Sequence, residues 1–459
     1  MILRRTQSLC PVCLRRLDAA YVQEEKTVLL NKSCPDHGPF SVPIWCEEDG
    51  TALLPAFTSW SRPKSPSFPD HPATSVQQGC PFDCGLCPEH GQHTCTGLVE
   101  VTKRCDMACP VCYANAGSST AQSDPDLADI AAQLDTLRQA SGACNLQISG
   151  GEPTLREDLP LILGMARRHG FGLVQLNTNG LRLAREDTYA AALARAGLDS
   201  VYLQWDGVRE ASFTTLRGRP CLQDKRRAVE NCARAGLGVV LVATVVRGVN
   251  DGELGDLLRL ALSLGSVVRG MHVQPAAFFG RYPWRLASAP RLTLTDVMAA
   301  FLRQAPELIH PGDFHPPGCE HELCSFSAVY RRTQEAGKST LTLLHQSAAC
   351  CNTGTIPPTA AAGASAARRF TALHWKGVQP VQTALDAENG SFDRFLAQAG
   401  AAQRFTLSCM AFQDALSLDV ARVRGCCIHV TRPDGRLIPF CLHNLTAENG
   451  TRLYEVTSP

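Results

Sequence analysis

From residue 98 to about 275, short apolar runs alternate with stretches in which apolar residues recur every three to four positions. That is the pattern of repeated βα units around a parallel sheet. Strands are predicted at 98–102, 145–149, 173–177, 200–204, 239–245 and 270–274. Helices fall between them at 126–140, 159–169, 187–196, 223–235 and 252–264, the first opened by Ser123-Asp124-Pro125. The repeats number six, and a closed barrel needs eight. The predicted fold is therefore α/β, a partial (β/α)6 TIM-like barrel whose open side is covered by flanking modules.

The flanks are cysteine-rich. Of 22 cysteines, eleven lie between Cys10 and Cys112 and eight between Cys319 and Cys441, leaving only Cys144, Cys221 and Cys232 between the blocks. Those three read as small buried core residues. The chain divides into 1–60, a rubredoxin- or zinc-knuckle-like metal module; 61–97, a connector and auxiliary-cluster segment; 98–280, the partial barrel; and 281–459, a C-terminal auxiliary-cluster domain. Pro63, Pro66, Pro69 and Pro72 make the connector extended. Residues 357–367, rich in Ala, Gly and Pro, read as a loop or local disorder.

With 44 Lys+Arg against 43 Asp+Glu, the 459-residue chain has no global field to steer polyanions, and no nucleic acid is expected as partner. Met1-Ile2-Leu3-Arg4-Arg5 is not followed by an apolar core, so no signal peptide is read. No apolar run of about 18 residues is present, which predicts no transmembrane segment. The expected location is cytoplasmic, where thiols stay reduced and clustered cysteines act as metal ligands.

Two triplets share the spacing C-x3-C-x2-C: Cys105-Cys109-Cys112, directly after the first predicted strand, and Cys80-Cys84-Cys87 upstream of it. Random placement of the cysteines would give about 0.05 such triplets. A cubane [4Fe–4S] cluster takes four cysteine ligands, so three leave one iron free for something other than protein. The plainer alternative, a zinc knuckle, wants a nearby fourth ligand and paired C-x2-C spacing. Gly150-Gly151-Glu152-Pro153 ends the second strand; Asn177-Thr178-Asn179-Gly180 and Gln204-Trp205-Asp206-Gly207 end the third and fourth. Turn formation is the plainer account of each.

Cys105, Cys109 and Cys112 with the aromatic Tyr113, followed by Gly150-Gly151-Glu152-Pro153, resemble the radical S-adenosylmethionine (SAM) superfamily. The resemblance implies that these cysteines hold a [4Fe–4S] cluster, that SAM chelates its fourth iron, and that SAM is cleaved to a 5′-deoxyadenosyl radical. It implies that the Gly150-Gly151 backbone approaches the methionine amino group. Asn177 and Asn179 would contact the SAM carboxylate or ribose, and Gln204 and Asp206 the ribose or substrate. Val245 and Gln274, at later strand ends, read as packing and loop anchoring.

The Cys80 triplet, with Cys95 as a fourth thiolate, reads as an auxiliary [4Fe–4S] cluster. Cys10, Cys13, Cys34 and Cys46 form a candidate tetrahedral site for zinc or a single iron, with His37 able to replace Cys46. A thioredoxin-type pair at Cys10-x2-Cys13 would need a βαβ context that is missing. Among the C-terminal thiols, Cys319, Cys409, Cys427 and Cys441 are chosen for one more cluster. The doubled pairs Cys350-Cys351 and Cys426-Cys427 admit redox or packing roles.

A narrower resemblance rests on Cys34-Pro35-x-His37-Gly38, Ser408-Cys409-Met410-Ala411-Phe412-Gln413-Asp414, Arg424-x-Cys426-Cys427-Ile428-His429 and Ile438-Pro439-Phe440-Cys441-x-His443-Asn444. These are similar to the group holding the dihydropterin methyltransferases, the tetraether lipid synthases and the radical SAM (seleno)protein TrsS. It implies C–H activation ending in methyl or alkyl transfer or C–C bond formation, on a small-molecule, lipid-like or peptide substrate, with a low-potential donor such as ferredoxin or flavodoxin. Radical modification of a peptide or protein is the second enzymatic reading. A non-catalytic Fe–S electron carrier is the alternative of another class, and it predicts no SAM binding.

Overall fold

The computed structural model describes residues 1–49, 52–117, 123–335, 338–344, 357–377 and 403–454. The Cys350-Cys351 pair lies outside the described residues.

An antiparallel meander opens the chain: β1 (Ile2–Leu9), β2 (Arg16–Glu24), β3 (Thr27–Cys34) and β4 (Gly38–Cys46), paired in that order. Alternation sets its two faces. Leu17, Ala19 and Tyr21 on β2, and Val28, Leu30 and Lys32 on β3, all point inward. A short ribbon, β5 (Glu48–Asp49) and β6 (Ala52–Leu53), follows.

β7 (Thr96–Thr102), β8 (Asn145–Gly150), β9 (Val174–Thr178), β10 (Ser200–Gln204), β11 (Gly238–Val245) and β12 (Val268–Pro275) lie side by side and parallel in chain order. Helices α1 (Leu127–Ser141), α2 (Leu159–Arg168), α3 (Leu181–Arg185), α4 (Tyr189–Ala196), α5 (Glu210–Arg217), α6 (Leu222–Arg234) and α7 (Leu254–Ser263) connect them. α1 starts in a capping box, with Asp126 and Asp129 each accepting from the other's backbone N–H. β11 and β12 are buried almost throughout, as strands covered on both faces must be.

The six repeats stand as predicted, and the C-terminal part adds to the same sheet. After α8 (Leu294–Gln304) come β13 (Ser325–Glu335), β14 (Lys338–Leu343), α9 (Ala360–His374), β15 (Arg404–Met410), β16 (Ile428–Thr431) and β17 (Leu437–Pro439). β15 joins β12 in parallel, and β16 joins β7 in parallel. The described sheet therefore carries eight parallel strands, flanked by antiparallel β13, β14 and β17.

Residues 357–367 are not a loop. Thr359 caps α9 by accepting from the Ala362 N–H, and the alanines that follow have the highest helix propensity of any residue. Gly363 lets α9 sit against another backbone, because a Cβ there would lie 2.1 Å from the Gly318 carbonyl oxygen. The proline-rich connector is tied down as well, with Ser65 bridging to Thr359 at the head of α9. Among the described residues, no helix is long and apolar enough to cross a membrane.

Candidate active site and metal centres

The loops at the carboxyl ends of the parallel strands surround a chamber of about 740 Å³. Cys105, Cys109 and Cys112 line it from the loop after β7. Tyr113, Gly150, Gly151, Glu152, Asn177, Asn179 and Gln204 line it too; Pro153 and Asp206 do not.

Two arginines fix the cysteine loop by its carbonyls. Arg281 Nε donates to Cys109 O at 2.7 Å, and Arg281 and Cys112 exchange backbone hydrogen bonds at 2.8 and 2.9 Å. Arg217 Nη1 donates to Val111 O at 3.0 Å. Burial pushes the Cys105 thiol up to about 12 and raises Cys109 against the opposing Arg217 charge. Cys105 and Cys109 are therefore held as thiols by burial, and a metal that takes them as thiolates would displace those protons.

The glycine pair answers a backbone constraint. A Cβ on Gly151 would lie 2.1 Å from Arg104 O, and Gly150 has φ +128° with a Cβ position 2.2 Å from Thr102 O. The Gly151 and Glu152 N–H groups donate to Thr102 O and Arg104 O, both at 2.8 Å. The segment is thus pressed against the base of the cysteine loop, and its N–H groups are already committed.

Glu152 links β8 to β9. Its Oε1 accepts from Thr154 and Thr178 Oγ1 at 2.6 and 2.7 Å, and its Oε2 from the Asn179 N–H at 2.7 Å. The Asn179 side chain donates to Asp106 Oδ1 at 2.7 Å and accepts from Leu181 N at 2.9 Å, so it performs the turn role. Asn177 differs. Its Nδ2 donates to Ser149 Oγ at 3.3 Å, while its buried Oδ1 has no partner among the described residues, and the residue lines the chamber. Tyr113 OH pairs with Ser149 Oγ at 3.2 Å.

Asp206 does not line the chamber and is taken up by its own neighbours. Both its oxygens face Arg217 at 2.7 Å, and Oδ1 also accepts from Thr244 N at 3.1 Å. Gln204 accepts from Lys225 Nζ at 2.8 Å and donates to Asp206. Arg217, Tyr202 and His272 line the chamber without having been marked in the sequence. His272 pairs with Ser408 Oγ at 2.8 Å, and burial pushes its pKa down to about 3, so the imidazole is neutral. Single arginines, tyrosines and histidines carry no local spacing signal in the sequence.

Among the described residues, two groups of three or more metal-ligating atoms close to within 4.8 Å of one another. One is Cys10, Cys13, Cys34 and His37. His37 Nδ1 is 3.4 Å from Cys34 Sγ, because the tight β3–β4 turn folds His37 back on Cys34. Cys46 is outside this group, at the far end of β4, where its N–H donates to Thr295 Oγ1 at 2.8 Å. The expected set with Cys46 is corrected to one with His37.

The other group is Cys95, Cys319 and Cys427. Cys95 stands here, 3.1 Å from Cys427 Sγ, and not with the Cys80 triplet. Cys409 is in the apolar core, and Cys441 Sγ accepts from Gln413 N at 3.3 Å; neither joins the group. Cys80, Cys84 and Cys87 are all buried, and a hydrogen bond from Cys84 lowers the pKa of Cys80.

Residues 99–261 match the Radical SAM superfamily, and residues 2–46 match the HMPTM N-terminal zinc ribbon domain. Over 96% of this chain and 93% of the relative, the sequence is 34% identical to 7,8-dihydro-6-hydroxymethylpterin dimethyltransferase of Methanocaldococcus jannaschii. The chain belongs to the radical SAM superfamily. Its similarity to GTP 3',8-cyclase of Paenarthrobacter nicotinovorans is narrower, 31% identity over 42% of this chain and 54% of that one. Streptococcus suis SuiB bound to S-adenosylmethionine aligns over 48% of this chain and 54% of its own, at 14% identity and a TM-score of 0.37. As a radical SAM enzyme, the protein uses a [4Fe–4S] cluster and SAM and acts on a small-molecule or peptide substrate.

Proposed function

We propose that this radical SAM enzyme transfers a methyl or alkyl group to carbon of a compact heterocyclic substrate, a dihydropterin being the leading candidate. The observation that carries the reading is one chamber of about 740 Å³ that combines the cysteine loop at one wall with a polar lining of Gln147, Ser149, Asn177, His272 and Ser408. That volume is in the range of sites that enclose small ligands. The similarity to the dihydropterin dimethyltransferase along nearly the whole chain supports the substrate class.

Cys105, Cys109 and Cys112 are the residues that would hold the [4Fe–4S] cluster. The fit is supported by three thiols on one loop lining the chamber and by Asn177, a chamber-lining residue whose buried Oδ1 has no partner among the described residues and could accept from a bound cofactor. When bound, cluster and SAM would supply reductive cleavage and hydrogen abstraction from an unactivated carbon, and a second SAM would be the methyl donor, so that two SAM and two electrons give methionine, 5′-deoxyadenosine and S-adenosylhomocysteine beside the methylated product. The protein's own work is positional. Arg217 and Arg281 hold the loop, Glu152 fixes the ends of β8 and β9, and Tyr113 and Gly150 shape the adjoining wall. Neutral His272 offers a hydrogen bond at the substrate side without introducing charge.

Cys10, Cys13, Cys34 and His37 are assigned to zinc, as a C-x2-C and C-x2-H pair of tetrahedral spacing. Cys80, Cys84 and Cys87 are assigned to an auxiliary cluster, on the strength of their shared spacing with the SAM-binding triplet. Residues 1–60 serve as zinc ribbon, 61–97 as auxiliary segment and 98–280 as the six-repeat body of the barrel, to whose sheet 281–459 add β15 and β16. A reduced ferredoxin or flavodoxin supplies the electron, and the reducing cytoplasm is the setting that keeps these thiols available.

The test is incubation of the anaerobically reconstituted enzyme with SAM, a low-potential reductant and 7,8-dihydro-6-hydroxymethylpterin. A methylated pterin is expected. Release of 5′-deoxyadenosine at a rate indifferent to the pterin, with no new product, would remove the pterin assignment.

A further inference from the structure

Cys95, Cys319 and Cys427 converge away from the cysteine loop that serves SAM. Cys95 directly precedes β7, and Cys427 directly precedes β16, its parallel neighbour. Cys95 N and Thr96 N both donate to Cys427 O, at 2.9 and 3.2 Å, so backbone pairing sets the two thiols side by side. Cys319 arrives from the segment before β13. That segment is held by Lys64 Nζ, which donates to Cys319 O at 3.2 Å and to Glu320 O, and by Gln92 Nε2, which donates to Cys319 O at 2.5 Å.

The next residue completes the arrangement. Glu320 Oε1 accepts from Ser325 Oγ at 2.5 Å, while Oε2 lies 3.9 Å from Cys427 Sγ. A serine that occupies one carboxylate oxygen and leaves the other turned to a thiol trio does what outer partners do for metal-ligating carboxylates. The thiols are all buried, and ionised together they would repel; a cation that takes them as thiolates reverses that sign. Soft sulfur donors select iron or zinc, and a carboxylate beside them is the harder, more exchangeable donor. Cys95, Cys319, Cys427 and Glu320 all line the same chamber as Cys105, Cys109 and Cys112.

We propose that Cys95, Cys319, Cys427 and the Glu320 carboxylate form a further iron or zinc centre that opens on the substrate chamber, with Glu320 as its exchangeable ligand. The proposal extends the radical SAM reading, since the chamber it faces is the one assigned to the substrate. α9 packs on the same segment through Gly363, whose missing Cβ admits the Gly318 carbonyl.

The test compares the reconstituted full chain with the Cys95→Ala/Cys319→Ala/Cys427→Ala variant for iron, zinc and acid-labile sulfide per chain, and measures 5′-deoxyadenosine release on the same samples. The variant is expected to lose one centre. Loss of one metal with sulfide unchanged makes it a single ion, and parallel loss of iron and sulfide makes it a cluster; either supports the site. Unchanged metal and sulfide overturn it. Because the metal count is separate from SAM cleavage, an inactive wild type would fault the enzymatic reading and leave this site to be judged by its own numbers. Glu320→Gln, of the same shape, is expected to keep the metal but surrender it to a chelator about tenfold faster, with Glu320→Asp restoring part of the retention. Equal rates for Gln and wild type would remove Glu320 from the ligand set.

Discussion

Arg217 grips Asp206 with two parallel hydrogen bonds, Nε to Oδ2 and Nη2 to Oδ1, each 2.7 Å, and both side chains are buried. The same guanidinium donates to Val111 O inside the cysteine loop and to Thr244 Oγ1 at the end of β11. One ion pair thereby joins the metal-binding loop after β7 to the ends of β10 and β11. Breaking it strands a buried charge, which costs about 3–5 kcal/mol. Arg217→Met and Asp206→Asn should each lower the urea midpoint strongly, and the double variant should cost less than their sum. Additive losses would show that the two side chains act separately.

Gly151→Ala puts a methyl group where Arg104 O already stands, 2.1 Å from the new Cβ. Backbone cannot yield as a side-chain tip does, so the cysteine loop must shift. The variant should fold yet bind less iron after reconstitution, with SAM cleavage falling at least about tenfold, in keeping with the steep cost of misplaced catalytic groups. Normal iron content and activity would mean that the loop is softer than this packing implies.

Zinc retention separates two candidate ligands of the N-terminal ribbon. His37→Ala should release zinc and lower the melting temperature, whereas Cys46→Ala should keep its zinc, because Cys46 is outside the four-atom group. Metal analysis after dialysis against a chelator decides it.

Much of the site was legible because metal ligation demands fixed local spacing. Cys105, Cys109 and Cys112 are legible because they fall within eight positions of one another, and Gly150-Gly151 because the paired glycines end a predicted strand. Cys95 could not be assigned the same way. Its partner Cys427 is 332 residues away, and only the β7–β16 pairing brings them together. His37 against Cys46 turned on a hairpin register that composition does not report. α9 is hard to see in the sequence because alanine beside glycine and proline has the composition of a soft segment, yet a Thr359 cap and an alanine run make a helix. Asp206 looked like a ligand because it ends a strand; its burial against Arg217 depends on α5, which the periodicity did not reveal. The strands β15 and β16 are short and isolated in sequence, so their parallel places at the sheet edges came only from the structure.

The folded protein should lose stability as the pH falls below about 6.5, before its carboxylates titrate. Burial pushes His272 down to about 3 and His374 to about 4, so the unfolded chain takes up protons that the folded chain refuses. For a base with a depressed folded pKa, that contribution is lost as the pH drops through the unfolded value, at up to about 1.4 kcal/mol per pH unit for each group. Urea midpoints at pH 7.5, 6.5 and 5.5 should be level across the first step and fall across the second. Replacing His272 with Asn should flatten the fall in part; a profile that is flat in the wild type would contradict the neutral burial of these rings.

The most direct measurement of the central claim is 5′-deoxyadenosine release from SAM by the anaerobically reconstituted protein, beside Cys105→Ala/Cys109→Ala/Cys112→Ala and Cys80→Ala/Cys84→Ala/Cys87→Ala. Release by the wild type, abolished when Cys105, Cys109 and Cys112 are replaced, is the predicted result, with at least partial release kept by the Cys80 triplet variant. Release that survives loss of Cys105, Cys109 and Cys112, or that depends only on Cys80, Cys84 and Cys87, would contradict the assignment of the chamber-lining loop as the seat of SAM cleavage.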